Sequence, residues 1–271
     1  MTKQQERARA RRRWEKRQAA LARKEEQRAR VRRVGAVVGV VALVVGLLAV
    51  LGVTLGNLGT DEAAPAATPS PGGTTLAGCE QPPQPLGTGA ELELPDASAA
   101  EGKTFEATLT TNCGDIVLAL DGTKAPQAVA AFTELARTNY YQDSPCHRLT
   151  TTDALKVLQC GDPTGTGQGN PGFGYGVENA PADGTYPRGT VAMARTSDPE
   201  EGTGAQFFLV YGDSTLPDPD GYTVVGTVTS GLDIVDRVAA QGVAPNAASP
   251  QDGAPAAPIS ILRVAVTEEK S

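Results

Sequence analysis

Three short segments carry the side chains from which chemistry can be argued: Cys146-His147-Arg148-Leu149, Val157-Leu158-Gln159-Cys160-Gly161-Asp162 and Gly204-Ala205-Gln206-Phe207-Phe208. They hold a cation at Arg148, an amide at Gln159 and an aromatic ring at Phe208. Nothing near them makes a nucleophile and base. His147 is the only histidine, which counts against triad hydrolases and favours a structural role for that residue. It also counts against zinc, because the four cysteines form no Cys-x-x-Cys and ligand spacing is absent. Gly167-Gln168-Gly169-Asn170-Pro171-Gly172 fits G-x-G-x-x-G, but a dinucleotide site needs a helix to start there, and Pro171 with the glycines after it denies one. The acidic stretches Asp198-Pro199-Glu200-Glu201 and Asp218-Pro219-Asp220 read as surface turns, not calcium loops. No cofactor and no metal are expected.

Taken in order, with a Gly-rich loop after the second, the three segments resemble the core of the cyclophilins, a family of peptidyl-prolyl cis/trans isomerases, here in a membrane-anchored bacterial form. The reaction such a resemblance implies fits the groups present. A peptide bond resists rotation by ~18–20 kcal/mol because nitrogen lone-pair donation gives it double-bond character. At X-Pro both isomers are populated, yet exchange takes ~10–100 s. Acceleration requires a donor aimed at the prolyl nitrogen or carbonyl oxygen and an apolar cup for the ring. Arginine suits the first task, being always charged and carrying a rigid fork of donors.

By that resemblance Arg148 is the catalytic arginine, Gln159 the residue that holds it and Phe208 the floor of the proline pocket. Gln206 touches the substrate backbone, Leu216 lines the pocket and Val157 stands where many members carry Met. Met193 and Ala194 lie on a strand that pairs with the bound peptide, Arg195 stands where Asn is common, and Tyr222 where eukaryotic members have His. The spacing from His147 to Gln159 exceeds the usual one by three residues, so Thr150–Ala154 is expected to form a longer turn. Lys156 falls where an aromatic is common, and Thr215 falls near the position of a pocket-rim Trp; weak cyclosporin affinity follows. Four cysteines allow three pairings. Because the resemblance brings Arg148 and Gln159 together, Cys146–Cys160 is the expected disulfide and Cys79–Cys113 the remainder, with free buried thiols as the alternative.

The elements that must position these residues are legible as periodicities. Strands are expected at 104–110, 116–120, 146–150, 157–160, 190–195, 206–211, 222–228 and 259–266. A helix opens at Pro126 with Val129, Phe132 and Leu135 on one face, and a second fits Leu232 to Ala240. The expected fold is mainly β: a closed, eight-stranded antiparallel cyclophilin-like barrel capped by two helices, occupying 103–268.

The N-terminal part differs in kind. Residues 1–33 hold 14 Lys/Arg against 4 Asp/Glu, whereas the whole chain carries a net −7. Val34 to Val53 is an apolar run of 20 residues, about 30 Å as a helix, enough to cross a bilayer core. This gives a basic cytoplasmic segment (1–33), a transmembrane helix (34–58) and a Pro/Ala/Gly-rich flexible linker (59–102). The expected location is the cell membrane, single-pass, N terminus cytoplasmic and the isomerase domain outside, where disulfides persist; a cleaved signal peptide is the competing reading. Expected partners are proline-containing polypeptide segments of secreted or envelope proteins and the membrane, with no nucleic acid. The alternative function is a low-turnover chaperone or Pro-peptide binding module of the same fold, kept open by Lys156 and Arg195; a structural or wall-binding protein is a more distant one.

Overall fold

The computed structural model describes residues 75–269. Its first hairpin shows how the sequence writes the sheet. Strands β1 (Thr104–Thr111) and β2 (Gly114–Asp121) alternate apolar and polar residues, so Phe105, Ala107 and Leu109 and then Ile116, Leu118 and Leu120 turn to the core. The two-residue loop Asn112–Cys113 joins them, with the Thr111 hydroxyl donating to the Gly114 carbonyl at 2.6 Å. Helix α1 (Pro126–Arg137) follows and buries Val129, Phe132 and Leu135. Its N-cap, Ala125, has no oxygen to offer the first free N–H groups. Glu178 does so from a distant loop, accepting from the amides of Gln127 (3.2 Å) and Ala128 (2.9 Å) and placing a negative charge at the positive end of the helix.

The remaining strands are β3 (Ser144–Pro145), β4 (Arg148–Thr151), β5 (Lys156–Cys160), β6 (Thr185–Tyr186), β7 (Thr190–Arg195), β8 (Thr203–Gly212), β9 (Ser214–Thr215), β10 (Val224–Ser230), β11 (Asp252–Gly253) and β12 (Ser260–Glu268). Helix α2 (Leu232–Ala239) starts at Gly231, whose φ of 81° and close approach to the Asp115 carbonyl exclude a side chain. Ten strands form one antiparallel sheet in the order β11-β4-β5-β8-β7-β10-β2-β1-β12-β3, while β6 and β9 pair separately.

The expected closed, eight-stranded barrel is therefore corrected to an open half-barrel. The sheet has two edges, β11 and β3, and no ladder joins them. The break lies in the chain itself. Residues 144–146 follow the β12 side as far as the bond from Cys146 N to Ile259 O (2.9 Å), and the chain enters the ladder with β5 only at Arg148. The eight long strands were readable because each carries enough residues to show alternation; the two-residue strands show none.

Alternation along the long strands gives the sheet two apolar faces. Leu149, Leu158, Leu209 and Val191 stand opposite one another across four strands and belong to the main core. One residue along, Arg148, Gln159, Phe208, Ala192 and Val224 make a second row, facing the other way. Phe207 thus packs inside against Phe132 and Tyr141, while its neighbour Phe208 joins a separate cluster.

Residues 75–102, read from sequence as part of a linker, lie along this domain. A disulfide joins Cys79 to Cys113, Leu76 and Leu92 pack on the core, and backbone bonds run from Gly87 to Pro163 and from Leu92 to Pro171. Prolines set an extended path, and the disulfide fixes its start. Among the described residues no helix is long and apolar enough to cross a membrane. The basic segment 1–33 and the span read at 34–58 lie outside the described residues.

Candidate active site

Strands β4 and β5 set Arg148 opposite Gln159, and β8 sets Phe208 opposite Gln159. The Arg148 Nη1 donates to Gln159 Oε1 at 3.2 Å. Gln159 Nε2 donates to Gln206 Oε1 at 2.9 Å, and Gln206 Nε2 donates to the carbonyls of Gly167 (3.1 Å) and Gly169 (3.4 Å). Both amides are thereby oriented by a relay that ends on the backbone of the Gly-rich loop. Gln206 reaches that loop because of an irregularity in the ladder. Between the pairs Met193–Phe207 and Arg195–Thr203, β7 supplies Ala194 alone while β8 supplies Gly204, Ala205 and Gln206. Such bulges re-aim side chains beside functional sites.

The loop is itself organised by a buried carboxylate. Asp162 accepts from Thr164 N (2.8 Å), the Thr164 hydroxyl (2.7 Å) and Gly169 N (3.1 Å). Burial pushes this carboxyl up, but these hydrogen bonds outweigh it and hold the group below its ordinary value. His147 stands nearby; burial lowers its pKa, and the Asp162 charge opposes that shift.

The opposite side of the row is apolar. Phe208, only 5% exposed, clusters with Val157, Tyr186, Ala192 and Val210, flanked by Leu155, Ala194, Leu216 and Tyr222. Phe208 and Tyr222 meet edge to face, with ring centroids 5.8 Å apart. The expected pocket residues Val157, Phe208, Ala194, Leu216 and Tyr222 are therefore brought together. A cavity of about 190 Å³ lies beside them, between Gln159, Ala194, Glu201, Thr203 and Gln206.

Arg195 is placed differently. Its side chain is 3% exposed, donates to Asp218 (2.5 Å), to Gly221 O (2.8 Å) and to Thr196 O (2.9 Å), and lies 5.0 Å from the centre of the Tyr222 ring. The fork ties down the loop that carries Tyr222. Cys146 is bonded to Cys160 and Cys79 to Cys113, and no free cysteine is found among the described residues. The Cys146–Cys160 bond crosses from the start of β4 to the end of β5, on the core side of the hairpin that bears Arg148 and Gln159.

Three residues of the site escaped the sequence. Asp252 accepts from Arg148 Nε (2.7 Å) and Nη2 (2.8 Å), which holds the guanidinium pKa above and the carboxyl below its ordinary value. In the sequence it is one more acid in a turn. Leu155 packs against the Phe208 cluster, one position before Lys156, so the apolar role expected of an aromatic at 156 is shared by a neighbour. The longer turn makes this possible: Thr152 accepts from Leu155 N at 2.9 Å and folds the chain back. Tyr186, fully buried, accepts from Tyr222 N (2.8 Å) and donates to Tyr222 O (3.3 Å). It was hidden between a turn and a proline.

Fold and site together define a mainly β protein whose one outward strand row combines a fixed arginine with an aromatic-floored cup. Residues 107–266 match the family model described as Cyclophilin type peptidyl-prolyl cis-trans isomerase/CLD, and the chain belongs to that family. It is 37% identical over 204 residues to the "Probable peptidyl-prolyl cis-trans isomerase B" of Mycobacterium tuberculosis, a match covering 69% of this chain and 63% of that protein's length. It is 40% identical over 139 residues to a "Peptidyl-prolyl cis-trans isomerase" of Helicobacter pylori, covering 50% of this chain and 81% of the relative. A solved cyclophilin type isomerase of Cryptosporidium parvum matches with a TM-score of 0.49 and 25% identity, over 62% of this chain and 99% of that one.

Proposed function

We propose that this chain accelerates cis–trans isomerisation of X-Pro bonds, with Arg148 acting on the prolyl amide and Phe208 holding the proline ring. The observation that carries the reading is the row across the sheet: a guanidinium hydrogen-bonded to Gln159 stands on the same face as an aromatic floor, with only the strand of Gln159 between them. Hydrogen bonding to the prolyl nitrogen draws its lone pair out of resonance and lowers the rotation barrier. The cup formed by Phe208, Tyr222, Val157 and Leu155 holds the ring while the preceding carbonyl swings. Only donor geometry and an apolar surface are used. Gln206 and the unladdered Ala194 offer polar groups to the peptide on either side.

The substrates fitting this reading are secreted or envelope proteins in an oxidising compartment. Two disulfides in the domain support that location; attachment to a membrane rests on sequence alone. The deciding experiment is a proline-isomerisation assay on the full chain beside Arg148→Ala. A loss of about 10²-fold in kcat/KM is expected from removing a preorganised donor. A parent chain that binds proline peptides without accelerating their exchange would replace this reading by the binding-module alternative.

A further inference from the structure

The isomerase reading gives Arg148 one orienting partner, Gln159, yet a single hydrogen bond at Nη1 does not fix the plane of a guanidinium. The structure supplies a second partner. Asp252 takes Nε and Nη2 in the parallel, two-point geometry that fixes both direction and plane. Three of the five N–H donors of arginine are then committed, leaving one on each terminal nitrogen.

Asp252 is delivered by a tightly held excursion of the chain. Strand β11 pairs with β4, setting Asp252 opposite Thr150 and Gly253 opposite Leu149. Around it, Thr151 N donates to Gln251 O (2.9 Å), Ala244 N to Ala254 O (2.8 Å) and Ala256 N to Gly242 O (2.9 Å). The loop is closed by backbone bonds, and among the described residues the Asp252 carboxylate has no other hydrogen-bond partner than Arg148. The carboxylate therefore does little for its own loop. Nor is it a buried folding element: the side chains of Arg148 and Asp252 are 42% and 41% exposed, and ion pairs at that exposure add little to stability. What remains for it is to orient the arginine.

We propose that Asp252 is a positioning residue for Arg148. It holds the guanidinium plane in the orientation used on the prolyl amide before substrate arrives, so that the side-chain freedom of a long arginine is not lost during turnover. The loop from Val243 to Pro258 thereby belongs to the site, although it is far from it in sequence. The proposal rests on the isomerase reading.

The test compares the full chain with Asp252→Ala and Asp252→Glu. Expected for Asp252→Ala are a fall of about tenfold in kcat, a KM changed by less than twofold, an unchanged melting temperature and a faster solvent exchange of the Arg148 Nε–H seen by 15N resonance. Asp252→Glu, which keeps the carboxylate, recovers most of the rate and of the Nε–H protection. An active parent whose kcat and Nε–H exchange are indifferent to Asp252→Ala overturns this inference alone. So does a loss that comes with a matching drop in melting temperature, which would make Asp252 a structural residue. A parent with no isomerase activity overturns the catalytic reading itself, and this one with it.

Discussion

Arg195 should be worth more to this fold than any exposed ion pair, and its removal tests the account of the Tyr222 loop. In Arg195→Ala the guanidinium leaves three acceptors behind. The Thr196 carbonyl belongs to an exposed residue and turns to water at little cost, whereas Gly221 is buried and its carbonyl loses its partner, worth about 1–3 kcal/mol. Asp218, 31% exposed, is partly rehydrated, so its unpaired charge adds about 1 kcal/mol. Loss of the guanidinium from the Tyr222 ring adds about 0.5–1 kcal/mol. Together the cost is about 3 kcal/mol, or about 6–12 °C in melting temperature for a domain of this size. Thermal unfolding by circular dichroism reads it directly, with urea unfolding to check that the slope is unchanged. Since Tyr222 closes one side of the cup, KM for a proline peptide should rise as well. A melting temperature lowered by less than about 2 °C would refute the claim that this fork holds the loop, and a KM effect without it would return Arg195 to the role of a substrate contact.

Three further outcomes follow from the same structure. Replacing Cys146 and Cys160 by Ala opens a cross-link of sequence separation 14 and should cost about 3 kcal/mol in the chain-entropy account, seen as a urea midpoint lowered in the absence of reductant, with Cys79–Cys113 intact. Tyr186→Phe removes both bonds to the Tyr222 backbone but little volume; a loss of about 1–2 kcal/mol with a raised KM is expected, and full retention of both would contradict the anchoring role. Buried Asp162 has a depressed pKa, so its stabilisation is complete above the ordinary carboxylate range and is lost as pH falls through the folded-state value. The urea midpoint should be flat from neutral pH down to about 5 and drop below about 4, and Asp162→Asn should flatten that acid limb.

What the sequence made legible was whatever repeats or is long. The β1–β2 hairpin announces itself by alternation, α1 by Pro126 and its apolar spacing, and the hairpin of Arg148 and Gln159 by the residues it resembles. What it hid were partners supplied from a distance. Glu178 caps α1 from another loop, Asp252 reaches Arg148 across 104 residues, and Tyr186 holds Tyr222 across 36. None leaves a local pattern, because a capping or pairing carboxylate looks like any surface acid. Barrel closure was misjudged for a related reason. The long strands show their alternation, but the edges are set by the two-residue strands β3 and β11, which no periodicity reveals. The linker reading of 75–102 followed composition, which describes how little those residues bury by themselves and not what they lie against.

The placement of Phe207 and Phe208 on opposite faces of one strand has an evolutionary consequence. Core and pocket are built from the same strands but from alternate letters, so either can vary while the other is kept. Val157, Ala194 and Tyr222 occupy the letters that face the cup, and the core letters Leu158, Met193 and Phe207 between them are untouched by any exchange there. Selection for a different client could therefore rewrite the cup a residue at a time without disturbing the packing of the main core, at the cost only of the smaller cluster around Phe208. The corollary for engineering is that a library restricted to the cup letters of β5, β7 and β8, with apolar residues kept at buried Val157, Ala192, Phe208 and Val210, should retain more folded members than one shifted by a single position into the main core.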